Sequence, residues 1–197
     1  MELVKRIPAA AGLGGASSDA AAALISGNLA WGLNWPLDRL LDLAAELGSD
    51  VSFFLKRGAA VGRGRGEKLE SIHSSRLHAV VVRPPIGLST ALVYQRCQPK
   101  SVHVGATGIF AALARGQASQ VGQQLINDLQ HASSTITPWI NRLASEFEKQ
   151  NVLGHQMSGS GSSYFGLCRS RRHARRVAAR LEARNIGTVL TAATIAN

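Results

Sequence analysis

The sequence is poor in cysteine, aromatic residues and acidic side chains, and it has no long apolar run. Only Cys97 and Cys168 occur in 197 residues. They stand far apart, which argues against a disulfide-stapled secreted scaffold and for two free thiols in a reducing cytoplasm. No stretch reaches the roughly 20 apolar residues of a membrane span. Lys5 and Arg6 sit where a signal peptide would carry its apolar core. The expectation is a cytoplasmic protein without a membrane partner. His73, His78, His103, His131, His155 and His173 lack metal-ligand spacing, so no residue is assigned to a protein-held metal. Acidic residues number 12 against 22 Lys and Arg, a net charge of +10. Much of that excess lies in 169–184, which holds seven Arg and one Glu. Without interleaved aromatics it reads as the solvated face of a helix rather than a nucleic-acid surface.

What is present is a globular composition, 45% hydrophobic and 17% charged, with enough chain to bury a core. One stretch dominates. Ile7-Pro8-Ala9-Ala10-Ala11-Gly12-Leu13-Gly14-Gly15-Ala16-Ser17-Ser18-Asp19 follows an extended-looking Glu2–Ile7 and runs into an alanine-rich segment of high helix propensity. The order reads strand, glycine-rich loop, serine pair, helix. The glycines permit positive φ and leave no Cβ in a ligand's way. Ser17 and Ser18 are expected to cap the helix. The first amides of such a helix are unpaired and lie at the positive end of its dipole, a place for phosphate. Neither Gly-Lys-Ser/Thr nor the third glycine of Gly-x-Gly-x-x-Gly is present, so the two commonest nucleotide-loop spellings do not apply.

The spelling Pro8-x-x-Ala11-Gly12-Leu13-Gly14-Gly15-x-Ser17-Ser18-Asp19 resembles the ATP loop of the GHMP kinases, and within them the branch acting on a cytidine diphosphate methylerythritol. Two further segments share the resemblance. Gly48-Ser49-Asp50-Val51-Ser52-Phe53-Phe54 is similar to a family segment whose aspartate is the catalytic base, with Ser52 in place of the usual proline. Met157-Ser158-Gly159-Ser160-Gly161-Ser162 is similar to the family's third, glycine-rich motif. The resemblance implies ATP and Mg²⁺ as cofactors and a small-molecule substrate phosphorylated on its 2-hydroxyl; it leaves a homodimer open. It implies ATP-binding residues Pro8, Ala9, Ala10, Ala11, Gly12, Leu13, Gly14, Gly15, Ala16, Ser17 and Ser18, with Asp50 catalytic. It implies substrate contacts from Thr90, Tyr94, Gly159, Ser160 and Gly161. Tyr94 reads equally as a ring stacked on cytosine or as helix core. Arg63 and Arg65 read as solvent-facing, with phosphate contact the lesser alternative.

The implied fold class is α+β. Residues 1–80 are the expected remainder of a truncated N-terminal domain resembling ribosomal protein S5 domain 2, and 81–197 a ferredoxin-like C-terminal domain. Met1–Lys5 reads like the middle of a strand, so the opening part of the family's N-terminal domain, with its lysine beside the transferred phosphate, is expected to be missing. Along the chain, helices are expected over 17–31 and from Leu37 to Leu47, the second from its i, i+3, i+4, i+7 leucines and ended by Gly48. A strand and turn follow over 59–67, then a buried strand from His78 stopped by Pro84 and Pro85. Thr90 opens a helix. A polar loop spans 98–104, short helices span 106–115 and 117–126, and Asn127 caps a further helix. Helices over 138–150 and 170–184, strands flanking 157–162, and a last strand over 187–195 complete the reading.

Overall fold

The structure is a computed structural model that describes residues 2–64, 66, 68–98 and 106–196. Arg65 and Glu67, most of the 98–104 loop and His103 lie outside the described residues. The elements are α1 (Gly15–Ala30), α2 (Leu37–Leu47), α3 (Val51–Lys56), β1 (Ala60–Arg63), β2 (Lys68–Ser71), β3 (His78–Arg83), α4 (Thr90–Arg96), α5 (Thr107–Ala114), α6 (Ala118–Gln123), α7 (Leu129–Ile136), α8 (Trp139–Glu148), β4 (Gly154–Met157), β5 (Tyr164–Cys168), α9 (Arg171–Glu182) and β6 (Thr188–Ala193).

The N-terminal part is a small helical layer. Leucines at helical spacing put Leu40 and Ala44 of α2 against Ala21 of α1 and Val51 and Leu55 of α3. The small side chain of Ala21 lets the helices approach closely. Gly48 ends α2 by donating its N–H to the Ala44 carbonyl at 3.0 Å, but its backbone is extended (φ 168°) rather than left-handed. Beside this core, Leu24, Trp31, Leu40, Leu43 and Leu47 line an apolar groove of about 490 Å³. The expected opening strand is not found: Glu2–Ile7 form no regular element and pair with no strand among the described residues.

The C-terminal part is a four-stranded sheet in the order β4-β5-β3-β6, every pair antiparallel. Read as strand, helices, strand, strand, helix, strand, this is the ferredoxin-like order. The expected division at residue 80 falls inside β3, all of which pairs in this sheet.

Period-2 alternation sends Val80, Val82, Tyr164 and Cys168 to one face and Ala79, Phe165 and Leu167 to the other. The first face is covered by Ile140, Leu143 and Phe147 of α8 and by Ala174, Val177, Ala178 and Leu181 of α9. Each large apolar side chain buried there contributes about 1.5–3 kcal/mol. The arginines of α9 point away from that face, and Ser170 Oγ caps the helix by accepting from the His173 N–H at 3.2 Å. Among the described residues, no helix is long and apolar enough to cross a membrane.

Candidate active site

The glycine-rich loop ends where α1 begins, and its geometry departs from the expected serine caps. Gly14 is the N-cap, in the left-handed region (φ 65°), and its carbonyl accepts the first helical bond from the Ser18 N–H at 2.9 Å. Ser17 and Ser18 lie inside the first turn, where Ser18 Oγ donates back to the Gly15 carbonyl at 2.8 Å. A loop that must reverse before entering a helix needs positive φ at the junction, and only glycine adopts it without strain. That requirement outweighs the capping preference of serine. The amides from Gly12 to Ser17 have no protein acceptor among the described residues. They form the unpaired donor set of a helix N-terminus.

The glycines are also demanded by protein neighbours, not only by room for a ligand. A Cβ on Gly12 (φ 67°) would lie 2.2 Å from the Ser158 carbonyl oxygen and 2.7 Å from that of Gly161. One on Gly14 would lie 2.6 Å from the Phe54 ring. The first glycine loop is thus pressed between the third glycine segment and α3. Ser158 Oγ donates to the Gly12 carbonyl at 2.7 Å, the Ser163 N–H to the Ala11 carbonyl at 3.0 Å, and the Leu88 N–H to the Ala10 carbonyl at 3.1 Å. Ala10 itself is left-handed (φ 55°), a conformation costing about 1–2 kcal/mol that this bond helps hold. Before the loop, Lys5 Nζ pairs with Asp19 Oδ2 of α1 at 2.6 Å.

Asp50 is exposed at the N-cap of α3, and its side chain makes no capping bond. Phe54, whose ring abuts Gly14, lies four residues on, so Asp50 and Phe54 share one face of α3 about 6 Å apart along its axis. The sequence reading had no separate helix here, since six residues carry too little periodicity to reveal one.

On the opposite flank, Thr90 Oγ1 lies 2.9 Å from Ser160 Oγ. Tyr94 is one turn further along α4 and is 62% exposed, which excludes the helix-core alternative. Gly159 and Gly161 both take positive φ. Residues 10–12, Thr90 and 158–163 therefore meet in one place, with Phe54, four residues after Asp50, against Gly14, and Tyr94 one helical turn from Thr90. Arg63 is not part of this assembly: it forms a surface pair with Glu70 across β1 and β2, 3.7 Å apart and 70% exposed on both sides.

Other reactive groups serve the fold. Burial pushes the Cys168 thiol up to about 11, so it stays protonated and is a poor nucleophile. Burial holds His155 below the usual histidine range; its Nδ1 lies 3.2 Å from Tyr164 Oη and its ring stacks on Phe147. Among the described residues, no three His, Cys, Asp or Glu side chains gather to hold a metal. Ser158 was expected only as part of the 157–162 motif, Gln130 and Ser133 were not expected in the site, and Asn127 was expected as a cap alone. The one available signal was the three-residue spacing of 127, 130 and 133.

Residues 1–58 match the family model described as GHMP kinases N terminal domain, and residues 109–187 that described as GHMP kinases C terminal. The chain is 40% identical over 183 residues to a 4-diphosphocytidyl-2-C-methyl-D-erythritol kinase of Pelotomaculum thermopropionicum, covering 91% of the chain and 64% of that relative. It is also 40% identical to the kinase of that name from a Nocardioides species, covering 98% of the chain and 67% of the relative. A crystal structure of 4-(cytidine 5'-diphospho)-2C-methyl-D-erythritol kinase superposes with a TM-score of 0.83 at 34% identity, over 98% of this chain and 69% of that one. The chain thus spans less than two thirds of the length of most of these curated relatives, 64% and 65% in two of them and 56% in another.

Proposed function

This chain belongs to the GHMP kinases, in the 4-diphosphocytidyl-2-C-methyl-D-erythritol kinase family, and from that premise we propose that it carries the ATP site and catalytic aspartate for phosphorylating the 2-hydroxyl of that substrate. The observation that carries the proposal is the unpaired amide set at the start of α1, held between the third glycine segment and α3. Phosphoryl transfer is mostly positioning and neutralisation of charge. The amides of 12–17 receive the triphosphate, as a helix N-terminus does for any phosphate. Asp50 accepts the proton of the attacking hydroxyl or orients it. The exposed ring of Tyr94 stacks on the cytosine, and Thr90 with 159–161 contacts the remainder of the substrate.

Mg²⁺ fits this site as the companion of the nucleotide, since it commonly takes most of its oxygens from phosphate and water. The Ser17 hydroxyl, in the first turn of α1, is the protein oxygen that would hold it. Bound, it neutralises phosphate charge.

The test is ADP release from ATP with three alcohols offered separately: the cytidyl methylerythritol, homoserine and mevalonate. The expected result is release with the first alone. Release with homoserine or mevalonate in its place, or no release with any, contradicts the proposal.

A further inference from the structure

One side of α7 and its lead-in grips the third glycine segment through three polar side chains. The Asn127 amide donates both its hydrogens, to the carbonyls of Met157 at 2.9 Å and Gly159 at 2.8 Å. Gln130 Oε1 accepts from the Met157 N–H at 2.9 Å. Ser133 Oγ donates to the Ser160 carbonyl at 3.3 Å. Gln130 and Ser133, three residues apart, share one face of α7, and Asn127 stands just before its first turn. The gripped segment in turn holds the first glycine loop, through Ser158 to Gly12 and Ser163 to Ala11. It also holds Thr90 through Ser160.

We infer that α7 is the clamp that sets the shape of both glycine loops, and that Asn127 is its positioning residue. The inference rests on the nucleotide-site reading above for its functional consequence, but not for the clamp itself. Carbonyls at 157 and 159 that lost both donors would turn to water. The segment would then loosen its hold on Gly12, and the amides that face the phosphates would lose their common orientation. Asn127 touches no reacting atom; it acts through the loop.

Asn127 also caps its helix, since Oδ1 accepts from the Leu129 N–H at 3.0 Å. The two roles separate cleanly. Asn127→Asp keeps the cap acceptor, and its charge suits a helix N-terminus, but it has no donor for either carbonyl. Asn127→Ala loses cap and donors together. If capping is all that matters, the Asp variant behaves as wild type and the Ala variant does not. If the clamp matters, the Asp variant is impaired at least as much as the Ala variant, because a carboxylate then faces two carbonyl oxygens.

The experiment uses the 197-residue chain and both variants. Amide hydrogen exchange is followed at Gly161 and Ser163, with Ala174 in α9 as control, and affinity is measured for N-methylanthraniloyl-ATP. In Asn127→Asp, exchange at Gly161 and Ser163 should quicken by about tenfold or more at an unchanged Ala174, as expected when a segment loses two hydrogen bonds. Nucleotide affinity should fall by a similar factor. Wild-type exchange and affinity in the Asp variant overturn the inference, as does faster exchange with affinity unchanged. If the wild-type chain itself does not bind the nucleotide, that failure falls on the nucleotide-site reading, and the exchange result alone decides the clamp.

Discussion

Replacing Asp50 with asparagine is expected to lower turnover of the cytidyl substrate by about 10²–10⁴-fold, the range over which a positioned acid or base contributes. ATP affinity and the melting temperature should stay close to wild type. The second half follows from the geometry. Asp50 is exposed and its side chain makes no capping bond, so the fold does not depend on its charge. Asparagine suits an N-cap equally well, and exposed substitutions of this kind usually stay within about 0.5 kcal/mol. A large loss of rate without a loss of stability is therefore the signature of chemistry at this position. Turnover within a few-fold of wild type would remove Asp50 from the mechanism.

Gly12→Ala should have the largest structural effect of any single methyl group in the loop. Its Cβ would fall 2.2 Å from the Ser158 oxygen and within 3 Å of Gly161 backbone atoms, at a φ of 67°. Neither neighbour is a flexible side-chain end that can move aside. Left-handed strain and overpacking each cost about 1–3 kcal/mol, so a loss of about 2–4 kcal/mol is expected. The Ser158 bond to the Gly12 carbonyl should break with it, and nucleotide binding should weaken by at least about tenfold. Thermal unfolding and an ATP titration check both halves. An Ala variant as stable and as tight as wild type would mean that the two glycine loops do not press together as described.

Much of the chain was legible because its signals are local. The leucines from 37 to 47 placed α2. Apolar spacing placed α8, and the run of valines before two prolines placed β3. The Gly/Ser stretch at 157–162 was rightly set between strands, because both of its flanks look like strands. The misreadings share a different cause. Ser17 and Ser18 have the right chemistry for a cap, but the loop's reversal at Gly14 decided the helix start. The glycines were credited to the ligand, while the nearest constraint on Gly12 is a backbone oxygen 146 residues away in sequence and that on Gly14 is the Phe54 ring. Asn127 looked like a cap because its cap partner is two residues away, whereas its other two bonds reach about thirty residues on. Bonds of that span leave no trace in periodicity or composition. Tyr94 was undecidable for the same reason, since its exposure depends on what the rest of the chain leaves uncovered.

The most direct test of the account is a titration of the isotope-labelled chain with ATP and Mg²⁺, following each backbone amide by NMR. The largest shifts are expected at Gly12 to Ser18, smaller ones at Ser158 to Ser163, and none along Arg171 to Glu182. Shifts confined to the arginine-rich helix, or no shift at Gly12 to Ser18 under saturating nucleotide, would contradict the account.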